Sequence, residues 1–85
     1  MQVKRSLEEI KKEEYVRQSE LAELNNIRPS TVKYYSELGL LPYKQQAEGL
    51  SKFYHREDSG KRLQEILELK EKGKSIPEII EYYLK

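Results

Sequence analysis

The stretch Leu21–Leu41, LAELNNIRPSTVKYYSELGLL, reads as two short helices joined by a sharp turn, the second closed by a glycine. Ser19 can accept from the free backbone N–H groups of a helix through Glu20, Leu21, Ala22 and Leu24, and Asn25-Asn26 supplies the turn that stops it. Arg28-Pro29 opens the next helix, because proline is tolerated in a first turn, where its missing N–H is no loss. Gly39 suits the left-handed position that ends it. A helix over 29–38 turns Ile27, Val32, Tyr35 and Leu38 to one side and Pro29, Ser30, Lys33, Tyr34 and Glu37 towards the other. Adjacent helical residues point about 100° apart, so of the Tyr34-Tyr35 pair Tyr35 is assigned to the core and Tyr34 to the surface. An outer face of hydroxyls, an amine and a phenol can bond phosphates and base edges, which is helix-turn-helix chemistry.

Thr31-Val32-Lys33-Tyr34-Tyr35, followed by Glu37-Leu38-Gly39-Leu40-Leu41, resembles the recognition helix of MerR-type transcriptional regulators. The likeness continues through Pro42, the Glu48-Gly49 turn, Lys52-Phe53-Tyr54, a helix with Arg62-Leu63 and Ile66, Gly73, and Ser75-Ile76-Pro77-Glu78-Ile79. These follow the order of the family's wing and later helices over roughly residues 16 to 80, a far more specific match than a bare helix-turn-helix pattern. The fold so implied is mostly α with a small β-hairpin wing, a winged helix-turn-helix.

The resemblance also implies roles. Tyr34 matches a position that faces the sugar-phosphate backbone. Lys33 stands where the family usually has arginine, which keeps phosphate attraction and loses the bidentate fork; the competing reading is a solvated charge. Ser30 matches the position from which bases are most often read, commonly by arginine, so its reach and base discrimination are expected to be smaller. Lys52, counted back from Tyr54, aligns with the wing arginine; otherwise it is an ordinary hairpin lysine. Arg28 replaces the usual capping serine or threonine and could reach a phosphate beside the helix start. With Thr31 and Lys44, these residues make up the expected DNA-binding set.

The flanks extend this reading. Residues 1–14 carry Val3, Leu7 and Ile10 at spacings of four and three, with Ser6 and Glu9 as a capping box, and predict an extra amphipathic helix ahead of a main domain over 15–85. Leu41–Tyr54, with its proline, Gln45-Gln46 and Glu48-Gly49, suits a short two-stranded wing. Leu63, Ile66, Leu67 and Leu69 mark a helix up to Gly73, and Gly60 leaves its start undefined. Ser75 with Glu78 then caps a last helix carrying Ile76, Ile79, Ile80 and Tyr83.

Composition bounds the function. At 85 residues without cysteine, the chain has room for one modest core, no disulfide and no thiolate metal site. His55 is the single histidine and reads as a helix-start residue. No glycine-rich phosphate loop, nucleophile-base pair or ligand cluster is present, so neither catalysis nor a cofactor is expected. No apolar run approaches the roughly 20 residues of a membrane span, and the charged amino terminus lacks a signal-peptide core; a cytoplasmic protein is expected. The net charge of +1 argues against nucleic acid, but residues 28–62 hold seven basic groups against four acidic ones.

Two functions remain at this point. One is duplex-DNA binding as a MerR-like regulator or its DNA-binding part, with helix 29–38 in the major groove and wing 42–54 on adjacent backbone. The family's dimer is normally built by a long carboxy-terminal coiled coil absent from this chain, so a homodimer would form through such a segment or through the terminal helices, around Leu7 and Ile10 or Ile80, Tyr83 and Leu84. The other is a protein-interaction module that keeps the winged core and has lost base readout, favoured by near-neutral charge and Ser30. Operator, effector and direction of regulation are not legible.

Overall fold

A computed structural model describes residues 6–84; Val3 and the rest of the predicted first helix before Ser6 lie outside the described residues. The elements run α1 (Leu7–Ile10), β1 (Tyr15–Arg17), α2 (Gln18–Leu24), α3 (Pro29–Glu37), β2 (Phe53–His55), α4 (Arg56–Glu71) and α5 (Ile76–Leu84). Within the described residues the first helix is a single turn. Its Ser6–Glu9 capping box forms as expected, and Ile10 sits fully buried in the core.

The helix-turn-helix follows the local chemistry closely. Asn26 takes a left-handed φ of 55°, and Ile27 N–H donates to the Ala22 carbonyl, folding the chain back after α2. Val32 and Tyr35 face inward from α3, and Gly39 ends it at φ 83°. One detail differs at the start of α2. The helix begins at Gln18 rather than after Ser19; its cap is Arg17, whose backbone N–H donates to the Glu20 carboxylate at 2.8 Å. Glu20 can reach back from the third helical position, which makes Arg17 the cap and leaves Ser19 exposed within the first turn.

The wing pairs across 41–54 as expected, through a single bridge, and a strand from before α2 adds to it. Phe53–His55 pairs antiparallel with Tyr15–Arg17, in the register Tyr15 to His55, Val16 to Tyr54 and Arg17 to Phe53. The nearer arm contributes one bridge, Lys44 to Phe53, closed by two backbone hydrogen bonds of 2.8 Å. A strand has two edges, and here β1 takes one and Lys44 the other. Arg56 N–H donates to the Glu14 carbonyl at 2.9 Å and its Nε to the Glu13 carbonyl at 2.7 Å, continuing the attachment beyond the strands. Alternation sends Val16 and Tyr54 into the core and leaves Tyr15, Arg17, Phe53 and His55 on the solvent side.

Helix α4 is capped by His55, whose Nδ1 accepts from Asp58 N–H at 3.3 Å, so the single histidine has the helix-start role expected of it. Gly60 lies inside α4, where an added Cβ would make ordinary contact, 3.6 Å, with the Asn25 side chain. Leu63 and Ile66 from α4 and Ile79 from α5 complete the core with Leu21, Leu40 and Leu41. Arg62 ties this half together. Its guanidinium donates to the Leu40 carbonyl at 3.0 Å and lies 4.1 Å from the centre of the Tyr83 ring, while Tyr83 Oη donates to Glu65 at 2.8 Å. Burial and that bond to Glu65 hold the Tyr83 phenol above its ordinary range.

Candidate nucleic-acid interface

The outer side of α3 begins at an open helix end. Arg28 is its cap position, but no side chain bonds the first-turn N–H groups, and no acidic residue lies in that turn. Pro29 removes one donor at no cost and Thr31 N–H turns to the Arg28 carbonyl at 3.0 Å, leaving Ser30 N–H and the positive end of the helix dipole without a side-chain acceptor. Arg28, Ser30, Lys33 and Tyr34 are exposed, Tyr34 at 47 %, and Thr31 is half-buried. Tyr35 is 2 % exposed, so the two tyrosines divide as expected. Lys33 Nζ stands 4.0 Å from Glu37 one turn on, a loose surface pair that leaves the ammonium accessible.

Two neighbouring side chains link this helix to the wing. Gln18 Nε2 donates to the Pro29 carbonyl at 3.1 Å, joining the first residue of α2 to the first of α3. Arg17, next to it, places its guanidinium 6.0 Å from the centre of the Phe53 ring at the wing base. The start of α3, the start of α2 and the wing base therefore form one contiguous row. Arg17 and Gln18 were not among the residues singled out from the sequence. The signal that could have found Arg17 is Glu20, three residues later, which marks position 17 as the cap.

On the wing, both predicted lysines rest on aromatic rings. Lys44 Nζ lies 4.5 Å from the centre of Tyr15, and Lys52 Nζ 4.6 Å from that of Tyr43. A hydrogen bond with the Tyr15 hydroxyl holds the exposed Lys44 ammonium above its usual range, so it stays charged at neutral pH. The tip is shaped by Gly49 at φ 86° and a turn in which Leu50 N–H donates to the Ala47 carbonyl. Gln45 Nε2 braces the tip by donating to the Leu50 carbonyl at 2.6 Å. Beneath it, Tyr54 packs against Tyr43, and burial raises the Tyr54 phenol above its ordinary range, with the buried Ser36 hydroxyl partly opposing. Ser36 lies on α3, so α3 and the wing strand meet inside the core as well as at the surface.

The profile of the MerR HTH family regulatory proteins matches residues 16–84, from β1 to the end of α5. The chain belongs to the MerR helix-turn-helix family. A solved structure described as a transcriptional regulator of the MerR family from Bacillus cereus is 28 % identical and superposes with a TM-score of 0.67 over 84 % of this chain. This MerR-family chain spans about half the length of that relative, 52 %. No curated protein matches it. The winged helix-turn-helix is thus the family's scaffold, with α2 and α3 as its paired helices and Lys44–Phe53 as the base of its wing. Among the described residues, no helix is long and apolar enough to cross a membrane.

Proposed function

We propose that this MerR-family domain binds duplex DNA in a sequence-dependent manner, laying α3 into the major groove and the wing around Lys44 and Lys52 on the adjacent backbone. The observation that carries the reading is the open first turn of α3. Its N–H groups have no side-chain cap, Arg28 and Lys33 flank them, and Gln18 and Arg17 connect them to the wing. A helix end of this kind attracts a phosphate, and exposed Ser30, Lys33 and Tyr34, with half-buried Thr31, lie along the part of the helix that would enter a groove. Ser30 has the shortest reach of the set, so base discrimination is expected to be modest and phosphate contacts to carry most of the affinity.

Half-site recognition becomes strong when two domains act together. The apolar side chains left outward at the end of α5, Tyr82 at 68 % and Leu84 at 55 % exposure, favour self-association there. Ile10 and Tyr83, named from the sequence for the same purpose, are taken up by the core and by Arg62 and Glu65. The same outward side chains are what a protein-interaction module would use.

Titration of isotopically labelled protein with a short mixed-sequence duplex at low and raised salt tests the proposal. Salt-sensitive amide shifts concentrated in residues 28–36 and 44–53 are expected. Shifts confined to α1 and α5, or none, would move the assignment to the interaction module.

A further inference from the structure

The solvent face of the β1–β2 sheet carries an arrangement that the α3-and-wing interface does not use. Tyr15 and Arg17 project from β1 and Phe53 and His55 from β2, and every cation on this face is set against an aromatic ring. Arg17 lies over Phe53, while Lys44, whose backbone pairs with Phe53 on the far edge, sends its amine across β2 to the ring of Tyr15. Tyr15 in turn stands edge-on to His55 with ring centres 5.4 Å apart. An open groove of about 340 Å³ lies between these groups, lined by Tyr15, Lys44, Gln45, Gln46 and Phe53. Glu14 and Asp58 both approach His55, at 3.7 and 3.3 Å, and the Glu20 carboxylate is engaged by the Arg17 backbone N–H at 2.8 Å. The ring-set cations of the face are Lys44 and Arg17, the latter at the end that continues through Gln18 to Pro29 and the start of α3.

We propose that this sheet face is a further part of the DNA-contact surface, in which Arg17 binds a backbone phosphate and Tyr15 and Phe53 are positioning residues that hold Lys44 and Arg17 for the same strand. The proposal rests on the DNA-binding reading of α3 and deepens it. Two features argue for phosphate as the occupant. A cation resting on a ring has already lost rotamer freedom and part of its hydration, yet an ammonium or guanidinium in that position keeps outward N–H groups for an anion. Continuity is the second feature: a strand that reaches the first turn of α3 passes beside Gln18 and so meets Arg17 next. Arg17 is free to serve in this way because the backbone of residue 17, not its side chain, makes the cap to Glu20.

Anisotropy titrations of a labelled duplex over a salt series, on Arg17→Ala, Arg17→Lys, Tyr15→Leu, Tyr15→Phe and Lys33→Ala, decide the matter, with circular dichroism checking that each variant is folded. Loss of one phosphate contact in Arg17→Ala should lower the slope of log K against log salt by about one, and Arg17→Lys should largely restore it. Tyr15→Leu keeps every charge, so the slope should hold while affinity falls several-fold; Tyr15→Phe, which keeps the ring, should recover most of the loss. Should Tyr15→Leu fail to fold, the Arg17 pair alone decides. Unchanged slope in Arg17→Ala beside a weakened Lys33→Ala would overturn the sheet-face contact and leave the α3 reading standing. If Lys33→Ala is also unaffected, the DNA-binding reading fails and this proposal with it.

Discussion

Helices α3 and α5 are both nine residues long, both carry a proline in the first turn, and both send residues into the core, yet their first turns are opposite in design. At α5, Ser75 N–H donates to Glu78 at 3.0 Å and Glu78 N–H donates back to the Ser75 hydroxyl at 3.3 Å, a closed capping box with its acid at the positive end of the helix. At α3 an arginine stands in the cap position, there is no acid in the first turn, and Gln18 braces the Pro29 carbonyl from outside. The outer sides differ in the same sense: Tyr82 and Leu84 on α5, Ser30, Lys33 and Tyr34 on α3. One helix closes its first turn with a side-chain cap and an acid, and the other has neither, which leaves its positive end open to an anionic partner. The lesson is that a helix end can be tuned for the fold or for a ligand, and the choice is legible in one turn.

The largest effect should come from the anchor beneath α5. Ile79 is 1 % exposed, and Ile79→Ala should lower unfolding free energy by about 2–5 kcal/mol in a urea titration. A loss below about 0.5 kcal/mol would make α5 an appendage rather than an equal of α3, and the comparison would lose its basis. Next come the caps. Ser75→Ala should cost about 0.5–2 kcal/mol without changing DNA affinity, whereas Arg28→Ser should gain stability of similar size and weaken DNA binding. Acid should distinguish the two ends in the same way. Hydrogen bonds from the Ser75 backbone N–H, then from its hydroxyl, hold the Glu78 carboxyl below the usual carboxylate range. Its contribution is therefore present above the ordinary glutamate pKa of about 4.3 and is lost as pH falls through the lower folded value. Amide-exchange protection in the first turn of α5 should fall over that window; Ser75→Ala, which keeps the backbone N–H, should weaken the dependence, and Glu78→Gln should abolish it. The smallest effect sharpens the contrast most. Ser30→Glu puts an acid in the first turn of α3 and should stabilise the fold by about 0.3–1 kcal/mol while weakening DNA binding. If binding and stability rise together, the open end of α3 is not where phosphate sits.

Much of the scaffold was legible because its signals are local. Asn26, Pro29 and Gly39 each act within a residue or two of their own backbone, and the Ser6–Glu9 and Ser75–Glu78 boxes need only a three-residue spacing. His55 as a cap and the split between Tyr34 and Tyr35 follow from helix geometry alone. Strand β1 was not legible: three residues are too few to show alternation, and only its pairing with β2, distant in the sequence, makes Tyr15–Arg17 a strand. For the same reason the wing was expected with two strands and without β1 beside it, and Arg17 and Gln18 escaped notice. Arg62 was read as a helix residue and a charge, but its bond to the Leu40 carbonyl was not legible, because that depends on how α4 crosses the turn after α3.

The Lys44–Phe53 bridge has a consequence for how such a domain can diverge. Both ends of the wing tip are fixed by the same two backbone hydrogen bonds, and residues 46–51 between them are all exposed. Lengthening that tip leaves the core and α3 untouched and adds only closure entropy, about 0.6 kcal/mol for each doubling of the loop. The bridge makes the wing a part whose reach can be lengthened or trimmed by insertion and deletion, independently of α3.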